Sequence, residues 1–344
     1  MAFAWWDSFD EYVTADLGLV YDQVFNVGGL GIAAAAGRNG TAGLQFGCNN
    51  ANYVTKSIPG TPATVGASCG LKTANNASGG IFLSFADAAT VQLSFQLNGA
   101  GFMEVRRGTA GTLLATGTKL FLSATFVHFE TKVLISPTVG TIVTKINGVV
   151  DINASALNTR ASANSQVTHA WLGSVQNAGG GTITLDDLVL WDTTGAAPQN
   201  DYPGDVRVQS RRVNADGGVL QWTRNAGATD HSRVEEAAQD ADTTYLSDAT
   251  VGDRSTFAMT ALTPASGTIL GVAFVAVVRK DDAGARSIVT VQRDGGVNRD
   301  NATVHPLGNT YTYERDHLFL NPATGAAYTL AEANALEAGV KVNA

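Results

Sequence analysis

The stretch Thr90-Val-Gln-Leu-Ser-Phe-Gln-Leu97 decides the fold class. Val91, Leu93, Phe95 and Leu97 alternate with Gln92, Ser94 and Gln96, and a period of two puts the apolar set on one side of an extended chain and the polar set on the other. Such a stretch reads as a strand with one face on a core and one face in water. Its neighbours have the same character: Ile81-Phe-Leu-Ser-Phe85 precedes it, Phe102-Met-Glu-Val-Arg106 follows, and Lys119–Leu122, Thr125–Ser136 and Thr141–Ile146 continue the series. Asn147-Gly148 then parts the last of these from Val149-Val-Asp-Ile152, and Asn-Gly between apolar runs signals a two-residue hairpin. Short apolar runs separated by turn residues are the pattern of an all-β sandwich, not of alternating strands and helices.

The whole chain supports this. Its 344 residues exceed one ordinary domain and suggest two. Charged residues make up only 15% of the chain, below the roughly 25% of typical soluble domains, so solubility rests on Thr, Ser, Asn and Gly. The 38 glycines against 8 prolines imply many tight turns. Net charge is −8, and both parts of the chain are acidic when it is divided at residue 200. With no basic half to neutralise phosphates, nucleic-acid binding is not expected. No apolar stretch approaches the roughly 20 residues that span a bilayer, so membrane insertion is not expected. Met1-Ala-Phe-Ala-Trp-Trp-Asp7 lacks the basic and apolar regions of a signal peptide, which fits a protein kept in the cytoplasm. Cys48 and Cys69 allow at most one disulfide, and two free, half-buried thiols are the expectation in a reducing compartment.

The domain pattern breaks after Thr182-Ile-Thr-Leu-Asp-Asp-Leu-Val-Leu-Trp-Asp192. The polar, Pro- and Gly-containing run that follows reads as a linker over 193–204 between a first domain, 1–192, and a second, 205–344. The second opens on Val206-Arg-Val208 and continues through Val219–Trp222, Thr256–Met259, Ile269–Val278 and Ser287–Gln292. Near the end, Thr329-Leu-Ala-Glu332 has the form of a capping box and Gly339 that of a helix stop, predicting a helix over 329–338.

Motifs that could carry chemistry fail on context. Gly66-Ala-Ser-Cys-Gly70 spells a nucleophile elbow around Ser68, but Leu71–Gly80 reads as loop and cannot supply the required helix. Gly29-Leu-Gly-Ile-Ala-Ala34 spells a dinucleotide fingerprint, yet no Asp or Glu occurs between Gln23 and Ala86 to hold a ribose. The five histidines are dispersed without metal spacing. Asp240, Asp242, Asp248 and Asp253 read as a solvated acidic loop, and Asp186-Asp187 as alternating in and out along a strand. Neither a metal nor another cofactor is expected. Glycan hydrolysis usually needs two carboxylates at a set spacing; Glu104 and Glu130 lie within strands and could pair across a concave face, but no motif supports that pairing.

Trp6-Asp-Ser-Phe-Asp10, Ile146-Asn-Gly-Val149 and Thr184-Leu-Asp-Asp-Leu-Val-Leu-Trp-Asp192 together resemble the laminin-G-like, concanavalin-A-like jelly roll. That resemblance implies an N-terminal jelly-roll sandwich whose first and last strands pair, with the Asn-Gly hairpin joining two strands of one sheet. A second, smaller β-sandwich with a short C-terminal helix would follow. Phe102–Ala115 and Asp201–Val208 resemble stretches of bacteriophage and prophage virion proteins that carry this domain. They imply a non-enzymatic structural component of a phage particle, in the tail or adhesion apparatus, made in the host cytoplasm and located in the virion. Its partners would be other copies of itself, other virion proteins and host surface glycans. A capsid decoration or head-fibre protein is one alternative, and a glycan-binding receptor module or polysaccharide depolymerase another. Trp5, Trp6 and Tyr53 are the candidate glycan or subunit contacts, with Trp171 and Trp191 as further aromatics. The competing expectation is that Trp171 and Trp191 fill the core while Trp5 and Trp6 staple the N-terminus.

Overall fold

The alternation in Thr90–Leu97 resolves into two stacked antiparallel sheets. The computed structural model describes residues 3–74, 80–109, 111–176, 180–263 and 266–344, in two units, Met1–Gln209 and Ser210–Ala344. Of the stretch 71–80, read as loop, residues 71–73 continue a strand instead, and 75–79 lie outside the described residues. The strands of the first unit are β1 (Phe3–Asp7), β2 (Gln23–Phe25), β3 (Leu30–Ala33), β4 (Gly43–Gly47), β5 (Asn52–Ser57), β6 (Thr64–Thr73), β7 (Ile81–Asp87) and β8 (Thr90–Leu97). They continue with β9 (Phe102–Arg107), β10 (Leu113–Leu120), β11 (Val127–Leu134), β12 (Gly140–Ile146), β13 (Val149–Leu157), β14 (His169–Ser174) and β15 (Thr182–Asp192). One sheet runs β13-β12-β11-β6-β15-β4-β3, with β1 also paired to β15, and the other runs β10-β9-β8-β7-β14-β5-β2. First and last strands therefore pair, Phe3 opposite Trp191. Asn147 and Gly148, both at positive φ, turn the chain from β12 to β13.

Register fixes which side of the seven-stranded sheet is the core. Val54, Leu172, Leu83, Phe95 and Val105 stand opposite one another from β5 to β9. Directly opposed residues share a face, and each of these is at most 2% exposed. Phe82 and Phe95 meet Phe129 of the other sheet edge-on, with ring centroids 5.1 and 5.9 Å apart, which closes the sandwich. Cys48 and Cys69 are free thiols, fully buried and not half-buried as expected, and burial pushes the Cys48 thiol up to about 12.

The stretch expected as a linker is packed on the first unit, which extends to Gln209. The eight-stranded sheet turns the large Trp191 ring outward over Gly66, and Tyr202 covers it at a centroid distance of 5.9 Å. Lys145 lies 3.5 Å from the Tyr202 ring centre, Lys132 pairs with Asp201 at 3.1 Å, and the Gly204 and Val208 amides donate to Glu130 and Asp187. Val206–Val208 is therefore not the opening strand of the second unit.

In the second unit a six-stranded sheet orders Val213–Leu220, Arg254–Met259, Glu337–Val342, Ser287–Asp294 and Val297–Asp300 side by side, with His305–Pro306 also on Ser287–Asp294. A ribbon of Val272–Val278 and Thr312–Leu318 is tied to it where the Thr290 hydroxyl donates to Asp316 and His305 Nε2 lies 3.1 Å from the same carboxylate. The terminal helix is shorter than expected. Thr329 and Glu332 form the capping box, but the helix covers only Leu330–Ala335, and Glu337–Val342 is a central strand. Gly339 serves close approach instead of a helix stop, since a Cβ there would sit 2.0 Å from the Ser255 carbonyl oxygen. Among the described residues, no helix is long and apolar enough to cross a membrane.

Candidate functional site

The outer face of the seven-stranded sheet gathers residues far apart in sequence. Opposite one another, strand by strand, stand Thr55, Trp171, Ser84, Ser94 and Arg106. One pleat along, Tyr53 faces Phe25 of the edge strand β2. The three aromatic rings stack: Phe25 on Tyr53 at 5.1 Å and 9°, and Tyr53 on Trp171 at 4.9 Å and 6°. Both pairs fall within the separations at which offset-parallel rings attract. Phe25 is 49% exposed, and Tyr53 and Trp171 are half-buried, so the stack forms an apolar strip at the surface.

A polar row continues from the strip. Ser84 and Ser94 are fully buried although they point away from the core. The face expected to be wet is covered here. Ser94 Oγ donates to the Gly108 carbonyl at 2.9 Å, while Gln92 Oε1 accepts the Ala161 and Ser162 amides and its Nε2 donates to Asn164 and Gln166 carbonyls. Two loops thus fold over the face at Gln92 and Ser94. Toward β9, Glu104 Oε2 accepts from Gln96 at 3.0 Å and from Arg106 Nη2 at 2.9 Å and Nε at 3.2 Å, while Oε1 accepts from Asn98 at 3.2 Å. Burial alone would raise this carboxyl, but those donors and the Arg106 charge hold it below the usual range. Ser84 Oγ, Trp171 Nε1 and Gln96 Oε1 are buried with no hydrogen-bond partner. Buried polar atoms normally have one, so this face carries unmet hydrogen-bonding capacity.

The aromatics named from sequence divide. Tyr53 is at the centre of the stack and Trp171 at its inner end, so Trp171 is not core. Trp5 and Trp6 are buried, Trp5 against Tyr21 and beneath the Lys56 ammonium, which is 3.7 Å from the ring centre, so neither offers a surface contact within this chain. Trp191 is fully buried. Phe25 escaped the sequence reading because Gln23-Val-Phe25 is too short to show a period. Glu104 and Glu130 do not form a pair: they lie on different sheets, Glu104 beside Arg106 and Glu130 beneath Gly204.

A second cluster lies under the 193–209 segment. Ser68 Oγ is 2.8 Å from His128 Nε2, but both residues are buried and Ser68 sits in the middle of β6, not at a strand-to-helix turn. A bulge between Asp186 and Val189, with Asp187 at φ 51°, breaks the expected in-and-out alternation and turns both carboxylates to Arg38. Asp186 accepts the Arg38 amide at 2.6 Å, and Arg38 pairs with Asp187 at 3.1 Å and with Asp205 at 2.8 Å. Burial and the neighbouring Asp187 charge push the Asp186 carboxyl up to about 7. In the second unit Asp242 of the acidic loop pairs with Arg279 at 2.7 Å. Among the described residues, no three His, Cys, Asp or Glu side chains are grouped to hold a metal ion.

The fold and this face define an all-β, two-unit protein whose first unit is a jelly-roll sandwich with an aromatic and polar outer sheet. No family model matches the chain. No curated protein matches it either. Among solved structures, it is similar to alginate lyase Aly36B at 12% identity and a TM-score of 0.37, covering 54% of this chain and 96% of that one. It is similar to the catalytic domain of a glycoside hydrolase family 131 protein from Coprinopsis cinerea at 14% identity and a TM-score of 0.38, covering 60% and 99%. A third is the carbohydrate-binding module CBM66 from Bacillus subtilis, at 10% identity and a TM-score of 0.31, covering 43% and 86%.

Proposed function

We propose that the first unit is a glycan-binding module without catalytic chemistry, using the outer face of the seven-stranded sheet. The observation that carries this is the Phe25–Tyr53–Trp171 stack, an aromatic strip at the surface whose outer end, Phe25, is 49% exposed. A sugar ring has apolar C–H faces, and the open Phe25 end of the stack with the ring edges beside it offers them aromatic surface. Hydrolysis is not part of the proposal, because Glu104 is committed to Arg106, Gln96 and Asn98, and the other sequence candidate, Glu130, lies on the other sheet. Trp171→Ala is expected to weaken glycan binding by about 2 kcal/mol, the level of an interface hot spot and roughly thirtyfold in Kd. Calorimetry against glycans selected on an array measures it, and unchanged affinity in this variant would refute the site. No reducing ends or unsaturated sugars should be released.

The likeness of Phe102–Ala115 and Asp201–Val208 to virion proteins supports placing the module on a phage particle, in the tail or adhesion apparatus, as a self-assembling component. On the structure, the first of these stretches contributes Glu104 and Arg106 to the face and the second the cover over Trp191. Mass spectrometry and labelling of purified particles test the setting, separating tail from head decoration, and absence from particles would remove it.

A further inference from the structure

The aromatic stack has one open ring face, and that limits how much of a glycan it can hold. Phe25, Tyr53 and Trp171 stand on the neighbouring strands β2, β5 and β14, with successive planes 9° and 6° from parallel. The centroid steps of 5.1 and 4.9 Å match the roughly 4.8 Å between strands, so the rings follow one another across the sheet. Tyr53 is therefore enclosed, with Phe25 against one face and Trp171 against the other. Trp171 turns one face to Tyr53; its indole nitrogen is buried, and on its far side stands the fully buried Ser84 of β7. Phe25 closes the series at the sheet margin. It is 49% exposed, and among the described residues no strand pairs with the outer edge of β2. The outer face of Phe25 is thus the face of the stack left for a ligand.

A phenyl ring and a pyranose are both six-membered and nearly equal in footprint, so that face has room for one sugar ring. Polar groups within reach of its hydroxyls stand at the surface beside it. Gln23 is two positions before Phe25 on β2, which puts it on the same side of the sheet about 7 Å away, and it is exposed. Its amide carries both donors and an acceptor. The open margin of an edge strand also turns the N–H and C=O groups of alternate residues outward. Phe25 is held ready for this contact from two sides. Tyr53 and Trp171 stack behind it, and Asn26, left-handed at φ 57°, donates from Nδ2 to the Ala51 carbonyl at 3.3 Å and ties down the end of the strand. A ring fixed before the ligand arrives lowers the ordering cost of binding.

We propose that this site binds a single sugar ring, free or as one unit of a chain, stacked on the outer face of Phe25 and hydrogen-bonded by Gln23, with Tyr53 and Trp171 as positioning residues that act through Phe25. This rests on the glycan-binding reading above. The test titrates the full chain, by ligand-observed NMR, with glucose, mannose and xylose and with their oligomers up to hexamers. Affinity should rise from monosaccharide to hexamer by less than about tenfold, since the statistical gain of six equivalent units is only about sixfold. Among variants checked by thermal melting for an intact fold, Phe25→Ala should weaken binding at least about tenfold and Gln23→Ala about threefold. Trp171→Phe keeps a ring in the stack without the indole and should bind as the unmodified chain does, whereas Trp171→Ala should not. Oligomers bound more than about tenfold tighter than the monosaccharide, or normal binding by a folded Phe25→Ala chain, would overturn the single-ring site while leaving glycan binding intact. Unchanged binding by Gln23→Ala would overturn the role of Gln23. Equal losses in Trp171→Phe and Trp171→Ala would mean that the ligand touches the indole, and would overturn the positioning role. No binding of any of these sugars to the unmodified chain would remove the glycan-binding reading together with this one.

Discussion

Gly66 is the residue on which the cover of the eight-stranded sheet can be tested most sharply. A Cβ added there would lie 2.1 and 2.2 Å from Cε2 and Cζ2 of Trp191. Those are rigid ring atoms, and the ring has nowhere to go, because Trp191 is fully buried with Tyr202 packed edge-on against it. Gly66→Ala therefore forces the ring off its rotamer or lifts the 193–209 segment. Overpacking of this kind costs about 1–3 kcal/mol. For a domain of this size that corresponds to a fall in Tm of roughly 2–4 °C per kcal/mol. Differential scanning calorimetry on the full chain should show the first unit's transition moving by that amount. The companion is Trp191→Phe, which clears the space: Gly66→Ala should be less damaging in a chain that already carries Trp191→Phe, with a coupling of about 0.5–3 kcal/mol. A Gly66→Ala chain that melts with the unmodified protein, or additive effects in the double variant, would refute the packing argument.

Two further outcomes follow from the same physics. Asp186 titrates at about 7 in the fold against 3.8 when exposed, and burial also raises Asp187 and Glu130. The folded state thus holds protons that the unfolded chain has released, so the first unit should gain stability as pH falls from 8 toward 5, by at most about 1.4 kcal/mol per pH unit for each group. Below about 4 the trend should reverse as the depressed carboxyls of Asp87, Glu104 and Asp201 are protonated. Urea unfolding at pH 8, 6.5 and 5 measures this, and a flat or falling series would contradict it. In the second unit Gly339→Ala should destabilise more than Thr329→Ala, whose lost cap costs about 0.5–2 kcal/mol. The reverse ranking in thermal melts would mean that Gly339 does not sit in the strand described.

What was legible in the sequence is what local physics dictates. The two-residue period of Val91 to Leu97 required a strand with an apolar face. Asn147-Gly148 required a turn that accepts positive φ, and Thr329 with Glu332 required a helix start. The end of that helix was not legible, because a glycine that permits close strand approach and a glycine that stops a helix are the same letter. Nor was the state of the polar side of Thr90–Leu97, since Gln92 and Ser94 are covered by loops some 70 and 14 residues away along the chain.

The candidate face lies further still from local reading. Phe25, Tyr53 and Trp171 become neighbours because the sheet order brings β2, β5 and β14 together, and no periodicity spans residues 25 to 171. The turning of Asp186 and Asp187 to one arginine depends on a bulge that alternation does not announce. Composition and short-range pattern determined that the chain folds as antiparallel sheets. Only the pairing of distant strands decided which side chains share a surface, because that pairing is settled by burial over the whole core and not by any one segment's preference.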